Sequence, residues 1–463
     1  MKKLILFFLF LPVIALTQPP REKLLFDFGW KFAPGHAADP HLDFGFGIGA
    51  AFAKAGEAQG AAHPNFSDTL WRSVDLPHDW AVELPFVNHD DPEVKSHGYK
   101  PVGRLFPASS IGWYRRAFSI PAADRGRRIT VQFDGVYRDA MIWCNGHYLG
   151  RHAGGYTPFS FDLTDYLRYG QRNTLTVRVD ASQYEGWFYE GAGIYRHVWL
   201  NKYAPLHLAE YGIFARSTID QGRAEVTVET TVENLAAAAA EGLVRVDLLD
   251  SSGRLAGRSS QLFNALQPLA AATLLHTISV EEPRLWSLEN PHLYTVRTFV
   301  EQGGVIVDHL DTPIGLRTVQ FDPDRGFFLN GEPVKIQGVC CHQDHGGVGS
   351  ALPDGLQEYR IRRLKEMGCN AYRTSHNPPT PELLDACDRL GMLVMDEHRL
   401  MGSSPEILEE LETLVKRDRN HPSVILWSLG NEEYVIQGNE TGAAIASTMM
   451  ARLRRLDPGR TIT

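Results

Sequence analysis

The last third of the chain repeats a strand, a loop and a helix four times, and this pattern restricts the fold more than any other feature. Pro333 to Gln337 begins the first expected strand, and Asp354 offers a cap for a helix whose apolar face is Ile361, Leu364 and Met367. Gly368 ends that helix. Asn370 to Thr374 forms the second strand, and Thr380-Pro381 supplies the cap and first residue of a helix presenting Leu383, Leu384, Cys387 and Leu390. Gly391 stops it. Met392 to Asp396 forms the third strand, and Ser404-Pro405 opens a helix with the face Ile407, Leu408, Leu411 and Leu414. Val424 to Leu429 is the fourth, with a helix carrying Ile445, Met449, Leu453 and Leu456 before Asp457-Pro458.

Equivalent strand positions Ile336, Tyr372, Val394 and Ile425 are 36, 22 and 31 residues apart. A parallel β/α barrel requires such spacing and places its active groups after the strand C-termini. Eight units take about 250 residues. Residues 333–463 supply 131, and Arg460-Thr461-Ile462-Thr463 stand where a fifth strand should begin. Residues 319–463 are therefore expected to form the N-terminal half of a TIM barrel.

Upstream the pattern is β throughout. Residues 21–201 alternate short strands with Gly, Pro and Asp turns. Ala140 to Cys144 leads into Asn145-Gly146, a strong hairpin signal, and Ile129 to Phe133 and Thr174 to Val179 are further strands. This reads as an antiparallel sandwich. Residues 37–62 are rich in Ala and Gly and read as a mobile insertion on its surface. From 202 to 318, clean alternation at Ala224–Val232 and Leu243–Leu249, joined by a loop of alanines at 236–240, suits an immunoglobulin-like sandwich. Three domains agree with 463 residues at about 150 per domain.

Met1-Lys2-Lys3 precedes the apolar run Leu4 to Leu16, which is too short for a membrane span and has the form of a secretory signal peptide over residues 1–17. The mature chain is expected to be secreted or periplasmic, with no membrane span. Lys and Arg number 46 against 55 Asp and Glu, a net charge of −9, which argues against a nucleic-acid partner. The five cysteines, Cys144, Cys340, Cys341, Cys369 and Cys387, are an odd number in apolar segments without zinc-ligand spacing, and read as buried free thiols.

Polar groups collect at the four strand ends: Cys341 to His345, Arg373 to Pro378, Asp396 to Arg399, and Gly430 to Glu433. Such convergence points to a site. Glu432 follows a fully apolar strand, so its carboxyl is expected at the rim of a partly dry pocket, where desolvation would keep it protonated and able to donate to a leaving oxygen. Asn431 beside it can bond a substrate hydroxyl. His342, Asp344 and His345 can be read as a metal group, but substrate bonding or packing suits them better because no third ligand stands at a defined spacing. Asp396-Glu397 reads as a structural pair with Arg373 or Arg399, and His376, before Asn377-Pro378-Pro379, as a positioned ligand contact.

The segment His421-Pro422-Ser423-Val424-Ile425-Leu426-Trp427-Ser428-Leu429-Gly430-Asn431-Glu432 resembles the acid/base signature of glycoside hydrolase family 2, which includes β-galactosidases, β-glucuronidases and β-mannosidases. Asp75-Leu76-Pro77-His78-Asp79-Trp80, Gly191-Ala192-Gly193-Ile194-Tyr195-Arg196 and Asn370 to Pro378 extend the resemblance over nearly all the mature chain. It implies a jelly-roll sugar-binding domain, an immunoglobulin-like domain and a catalytic barrel, in that order. It also implies a retaining mechanism with two carboxylates about 5 Å apart. Glu432 matches the acid/base and Asn431 the holder of the 2-hydroxyl; His376, Arg373 and His345 are the further substrate-binding candidates. The family's nucleophile is a Glu on a seventh strand that this sequence lacks, so a fragment with little activity alone is expected. The strand-end segment Met395 to Gly402 looks most like the β-galactosidases, which makes a secreted exo-acting β-galactosidase the leading reading. A β-glucuronidase and a non-catalytic carbohydrate-binding protein stay open. So do a divalent cation near Glu432, whose ligands the sequence does not identify, and homo-oligomerisation of the full-length form.

Overall fold

The computed structural model describes residues 20–47 and 56–463. The expected signal peptide at 1–17 lies outside them. Two antiparallel sheets form the first sandwich. One has six strands in the order Arg72–Val74, Trp30–Pro34, Ile111–Ser119, Arg172–Asp180, Ala140–Cys144 and His147–His152. The other has four, in the order Glu22–Leu25, Val198–Tyr203, Arg128–Phe133 and Phe159–Asp162. Asn145 and Gly146 close their hairpin at φ 51° and 82°, the backbone that a two-residue turn between twisted strands demands. Trp30, Tyr114, Val131, Phe133 and Val177 fill the space between the sheets.

The insertion at 37–62 is not the loose surface feature expected; its described parts are docked. Phe44, Phe46, Ala58, Ala61 and Ala62 pack on Trp71, Trp113 and Trp143 in a separate aromatic core. Asp43 fastens it, accepting from Trp113 Nε1 at 2.6 Å and Arg178 Nε at 2.9 Å. The small alanines let this segment lie flat against the indole rings, so its composition reflects close packing.

In the second sandwich, Leu206–Asp220, Arg223–Asn234 and Ala270–Glu281 face a sheet of Leu255–Leu266, Ala240–Leu249, Tyr294–Gln302 and Val305–Ile314. Strict alternation of burial along Arg223–Asn234 follows from one face meeting that core. The alanine run begins in a loop and ends at Ala240, the first residue of the next strand.

Five parallel strands follow: Gly338–Cys341, Ala371–Thr374, Leu393–Glu397, Val424–Ser428 and Thr461–Ile462. The first strand was expected at Pro333 to Gln337. Instead Pro333 pairs with Phe328 in a small antiparallel sheet that precedes the barrel, since proline has no N–H for a central ladder. The equivalent positions are Val339, Tyr372, Val394 and Val424. Between the third and fourth strands the register shifts: Val394 faces Val424 but Met395 faces Leu426.

Helices Asp354–Glu366, Pro381–Leu390, Pro405–Asp418 and Glu440–Leu456 connect or follow these strands. Thr380 and Ser404 cap theirs through their side chains, and Gly391 ends the second at φ 71°. Asp354 does not cap the first helix, because Pro353 holds the cap position and the Asp354 carboxylate bonds His197 instead. Met367 lies beyond the last turn and is 74% exposed, leaving Ile361 and Leu364 as the packed face. Among the thiols, Cys144 and Cys387 are buried, Cys341 and Cys369 half-buried and Cys340 exposed. Strand alternation explains the exception: Cys340 pairs with Arg373 in a row that continues through Met395, Leu426 and Thr461 on the inner, less covered face. Among the described residues no helix is long and apolar enough to cross a membrane.

The first sandwich grips the barrel through buried polar groups. Arg196 donates to Tyr156 O at 2.8 Å within the sandwich, and to Pro378 O at 2.6 Å, Pro379 O at 3.3 Å and Gln343 Oε1 at 3.2 Å in the barrel loops. His197 bridges Asp27 at 2.6 Å and Asp354 at 2.8 Å. Burial opposes charge on this imidazole, but the hydrogen bonds to Asp27 and Asp354 outweigh it and raise its pKa to about 10. Protonated His197 therefore contributes stability that is full below pH 6.5 and is lost as pH rises through about 10. Thermal unfolding midpoints should fall across that window, and the fall should shrink in His197→Gln; an identical pH profile in the variant would refute this assignment.

Candidate active site

The C-terminal ends of the second, third and fourth barrel strands meet at one carboxylate. Glu397, fully buried on the inner face, accepts from Arg373 Nε at 2.8 Å, from Ser428 Oγ at 2.9 Å, and pairs with His376 Nδ1 at 2.8 Å. Its backbone N–H bonds Thr374 Oγ1 at 2.9 Å. Arg373 extends the network to Asn431 Oδ1 at 2.6 Å. Three sequence candidates, Arg373, His376 and Asn431, are thus brought together by a residue that sequence reasoning treated as structural. The signal was available: alternation along Leu393–Glu397 puts Glu397 on the same face as Arg373's strand partner Met395. Asp396 points the other way, into a buried site beside Asp418 and Arg417, and burial followed by the Asp418 charge raises its pKa well above the ordinary value.

Glu432 lies at this same end, in sequence next to Asn431, with φ 50°. Its surroundings differ from the expectation. The side chain is exposed rather than partly dry, and the Tyr434 hydroxyl donates to its Oε2 at 2.9 Å. The left-handed turn at Glu432 carries the chain off the end of the strand, away from the buried Glu397 group. Glu433 is tethered separately, accepting from Met401 N at 3.2 Å.

Rings surround these polar groups. Phe188, from a loop of the first sandwich, stacks on His342 at 4.8 Å and lies 5.9 Å from His376. Its neighbour Trp187 is 6.1 Å from His376 and 6.2 Å from Tyr434. Burial lowers the His376 pKa, and the hydrogen bond to Glu397 offsets this only in part. Sequence reasoning missed Trp187, Phe188 and Tyr434; a Trp-Phe pair beside a glycine in a loop was the signal.

The loop that carries Trp187 is held from beneath. Glu190 is buried and accepts from Tyr137 Oη at 2.5 Å and Tyr156 Oη at 2.7 Å. Burial, then the neighbouring Glu185 charge, raises its pKa to about 7. Arg138 pairs with Glu185 at 2.6 Å, and Arg399 donates to the Glu185 carbonyl. Asp79 collects five donors: Ala81 N, Ala192 N, Tyr189 Oη, Ser350 N and Ser350 Oγ, at 2.7–3.1 Å. Gly191 and Gly349 allow this convergence, for a Cβ at either would stand 2.2 Å from Ser350 Oγ or Asp79 Oδ2 respectively. The stretches around Asp79 and Arg196 therefore form the joint that sets the aromatic loop over the barrel mouth.

His345 sits in a tight turn closed by its backbone with Gly349, and among the described residues no hydrogen bond, ion pair or ring contact joins its imidazole to the Glu397 cluster. His342, Asp344 and His345 do not converge as metal ligands. The groups of three ligand atoms within 4.8 Å among the described residues lie elsewhere, at His197, Asp354 and Glu382 and at Asp385, Asp388 and His421.

Comparison with known proteins gives a consistent result. Residues 67–204 match the profile of the glycosyl hydrolases family 2 sugar binding domain, 207–317 that of glycosyl hydrolases family 2, and 323–406 with 402–463 that of its TIM barrel domain. The chain is 38% identical to the β-galactosidase BoGH2A of Bacteroides ovatus over 89% of its own length and 47% of that protein's. It is 30% identical to a β-glucuronidase of Bacteroides fragilis over 85% of its length and 57% of the relative's. A crystal structure of a glycosyl hydrolase family 2 member from Bacteroides cellulosilyticus superimposes with a TM-score of 0.84 at 33% identity, covering 95% of this chain and 55% of that one. The chain thus spans about half the length of the curated relatives it matches.

The Glu397 cluster carries its own test. Because the Glu397 hydrogen bond and charge raise the His376 pKa against burial, Glu397→Gln should lower it further. NMR titration of the His376 ring protons reads this directly, and a pKa that stays put or rises would contradict the pairing.

Proposed function

Because the chain belongs to glycoside hydrolase family 2, we propose that it supplies the acid/base half of a β-glycosidase site, acting exo on a terminal β-galactoside. The observation that carries this reading is the alignment of Arg373, His376 and Asn431 around Glu397 beside an accessible carboxylate at Glu432. In the retaining scheme Glu432 gives its proton to the glycosidic oxygen as the bond to the anomeric carbon breaks. A nucleophilic carboxylate from a later barrel strand takes that carbon, and Glu432 then removes a proton from the water that displaces it. Asn431, fixed by Arg373, holds the 2-hydroxyl. Arg373 and Glu397 keep that amide at one orientation, which is the kind of support that makes a hydrogen-bond donor effective in the transition state.

The preference for a galactoside is supported by the resemblance of Met395 to Gly402 to β-galactosidase segments. A glucuronide needs a cation for its carboxylate. At this mouth Arg373 is engaged by Glu397 and Asn431, while Arg399 gives Nη2 to the Glu185 carbonyl and leaves Nε and Nη1 buried without a hydrogen-bond partner. The basic and apolar N-terminal run supports secretion of the protein.

Nitrophenyl β-galactosides assayed with this chain and with a form continued through the barrel test the reading, with turnover expected in the longer form alone. In that form Glu432→Gln should reduce kcat/KM on sugar or alkyl leaving groups roughly 10²–10⁴-fold, while kcat/KM on dinitrophenyl substrates, whose glycosidic bond breaks without a proton, stays nearly unchanged. Equal losses on both classes would remove Glu432 from the acid role, and equal turnover by the short form would overturn the half-site reading.

A further inference from the structure

We propose that Trp187 and Tyr434 form an aromatic platform for the second sugar of the substrate, the one that leaves; this rests on the reading of Glu432 as the acid. The two rings come from different domains, Trp187 from a loop of the first sandwich and Tyr434 from the segment after the fourth barrel strand, and their centroids lie 6.2 Å apart at 32°. They are 49% and 71% exposed, whereas Phe188, one residue away, is 7% exposed and seated on His342. Two exposed aromatic faces paired across a domain junction suit a ligand with an apolar face.

The position of the pair indicates which ring it serves. A pyranose must bond its hydroxyls and also offers a face of C–H groups to an aromatic ring. The inner groups Glu397, Asn431 and His376 are polar and buried or half-buried, which suits the sugar whose hydroxyls are read. Tyr434 lies on the outer, exposed side and touches Glu432 through its hydroxyl. The glycosidic oxygen that Glu432 protonates lies between two sugars, so a ring resting on Tyr434 and Trp187 is the outer one. The class of substrate is accordingly a β-linked disaccharide or longer oligosaccharide rather than a simple alkyl glycoside.

The test compares two substrates with the same inner sugar, a β-linked disaccharide and the corresponding glycosyl fluoride, in the full-length protein. Trp187→Ala should lower kcat/KM on the disaccharide about tenfold, mostly through KM, the scale expected from losing one stacked aromatic face. The fluoride has no second ring and should be hydrolysed at the unaltered rate, which also shows that the variant folds. Trp187→Phe should restore disaccharide hydrolysis. Equal losses on both substrates, or no loss on the disaccharide, would overturn the platform. The acid reading fails by a different result: Glu432→Gln without a kcat loss on the disaccharide.

Discussion

The guanidinium of Arg196 is the tie on which the arrangement depends. It is 2% exposed and distributes its donors over carbonyls of both the sandwich and the barrel loop at Pro378 and Pro379. Removing such a group from water is costly, and the bonds from Nη1 and Nη2 offset that cost although Nε has no hydrogen-bond partner. The cost makes the tie specific, since only one docking angle brings Tyr156 O, Gln343 and the two proline carbonyls within reach at once. His376 stands immediately before Asn377-Pro378-Pro379, so anchoring those carbonyls also anchors the imidazole that meets Glu397.

A second tie, at Asp79, does the same for the opposite rim. Its oxygens hold Tyr189 and Ala192 of the aromatic loop and Ser350 of the first barrel loop together. The sandwich thereby becomes part of the site. Its Trp187 and Phe188 rings reach residues of the second and fourth barrel strands, and its Glu190, kept among tyrosine hydroxyls, holds their loop from behind. A barrel strand end alone would present Arg373, Asn431 and Glu432 without a wall.

Much of this was legible in the sequence wherever the pattern was local. Thr380-Pro381, Ser404-Pro405 and Gly391 announced helix ends by their own chemistry, and Asn145-Gly146 announced a hairpin. The failures came where the deciding partner is distant. Pro333 looked like the start of a barrel strand because Ile336 is apolar, yet its missing N–H sends it into a separate hairpin. The residues at 37–62 looked loose because Ala and Gly are small, yet their described members cover Trp71, Trp113 and Trp143, two of which lie far along the chain. Glu397 looked like half of an ordinary ion pair, and only the inward phase of its strand shows four groups gathered on it. The environment of Glu432 depends on a left-handed turn that no residue type there advertises.

The shift in pairing between the third and fourth barrel strands has a broader meaning. Val394 faces Val424 while Met395 faces Leu426, so one residue of the fourth strand is passed over. That skipped residue sets the phase of everything after it, including Ser428 beneath Glu397 and Asn431 against Arg373. Without it, the odd and even members of the strand would exchange sides, turning Trp427 toward the cavity and Ser428 toward the helices. A single irregularity in a ladder of backbone bonds thus decides which side chains the mouth can see, and a one-residue deletion there would scatter the group around Glu397 while leaving each of its residues in the sequence.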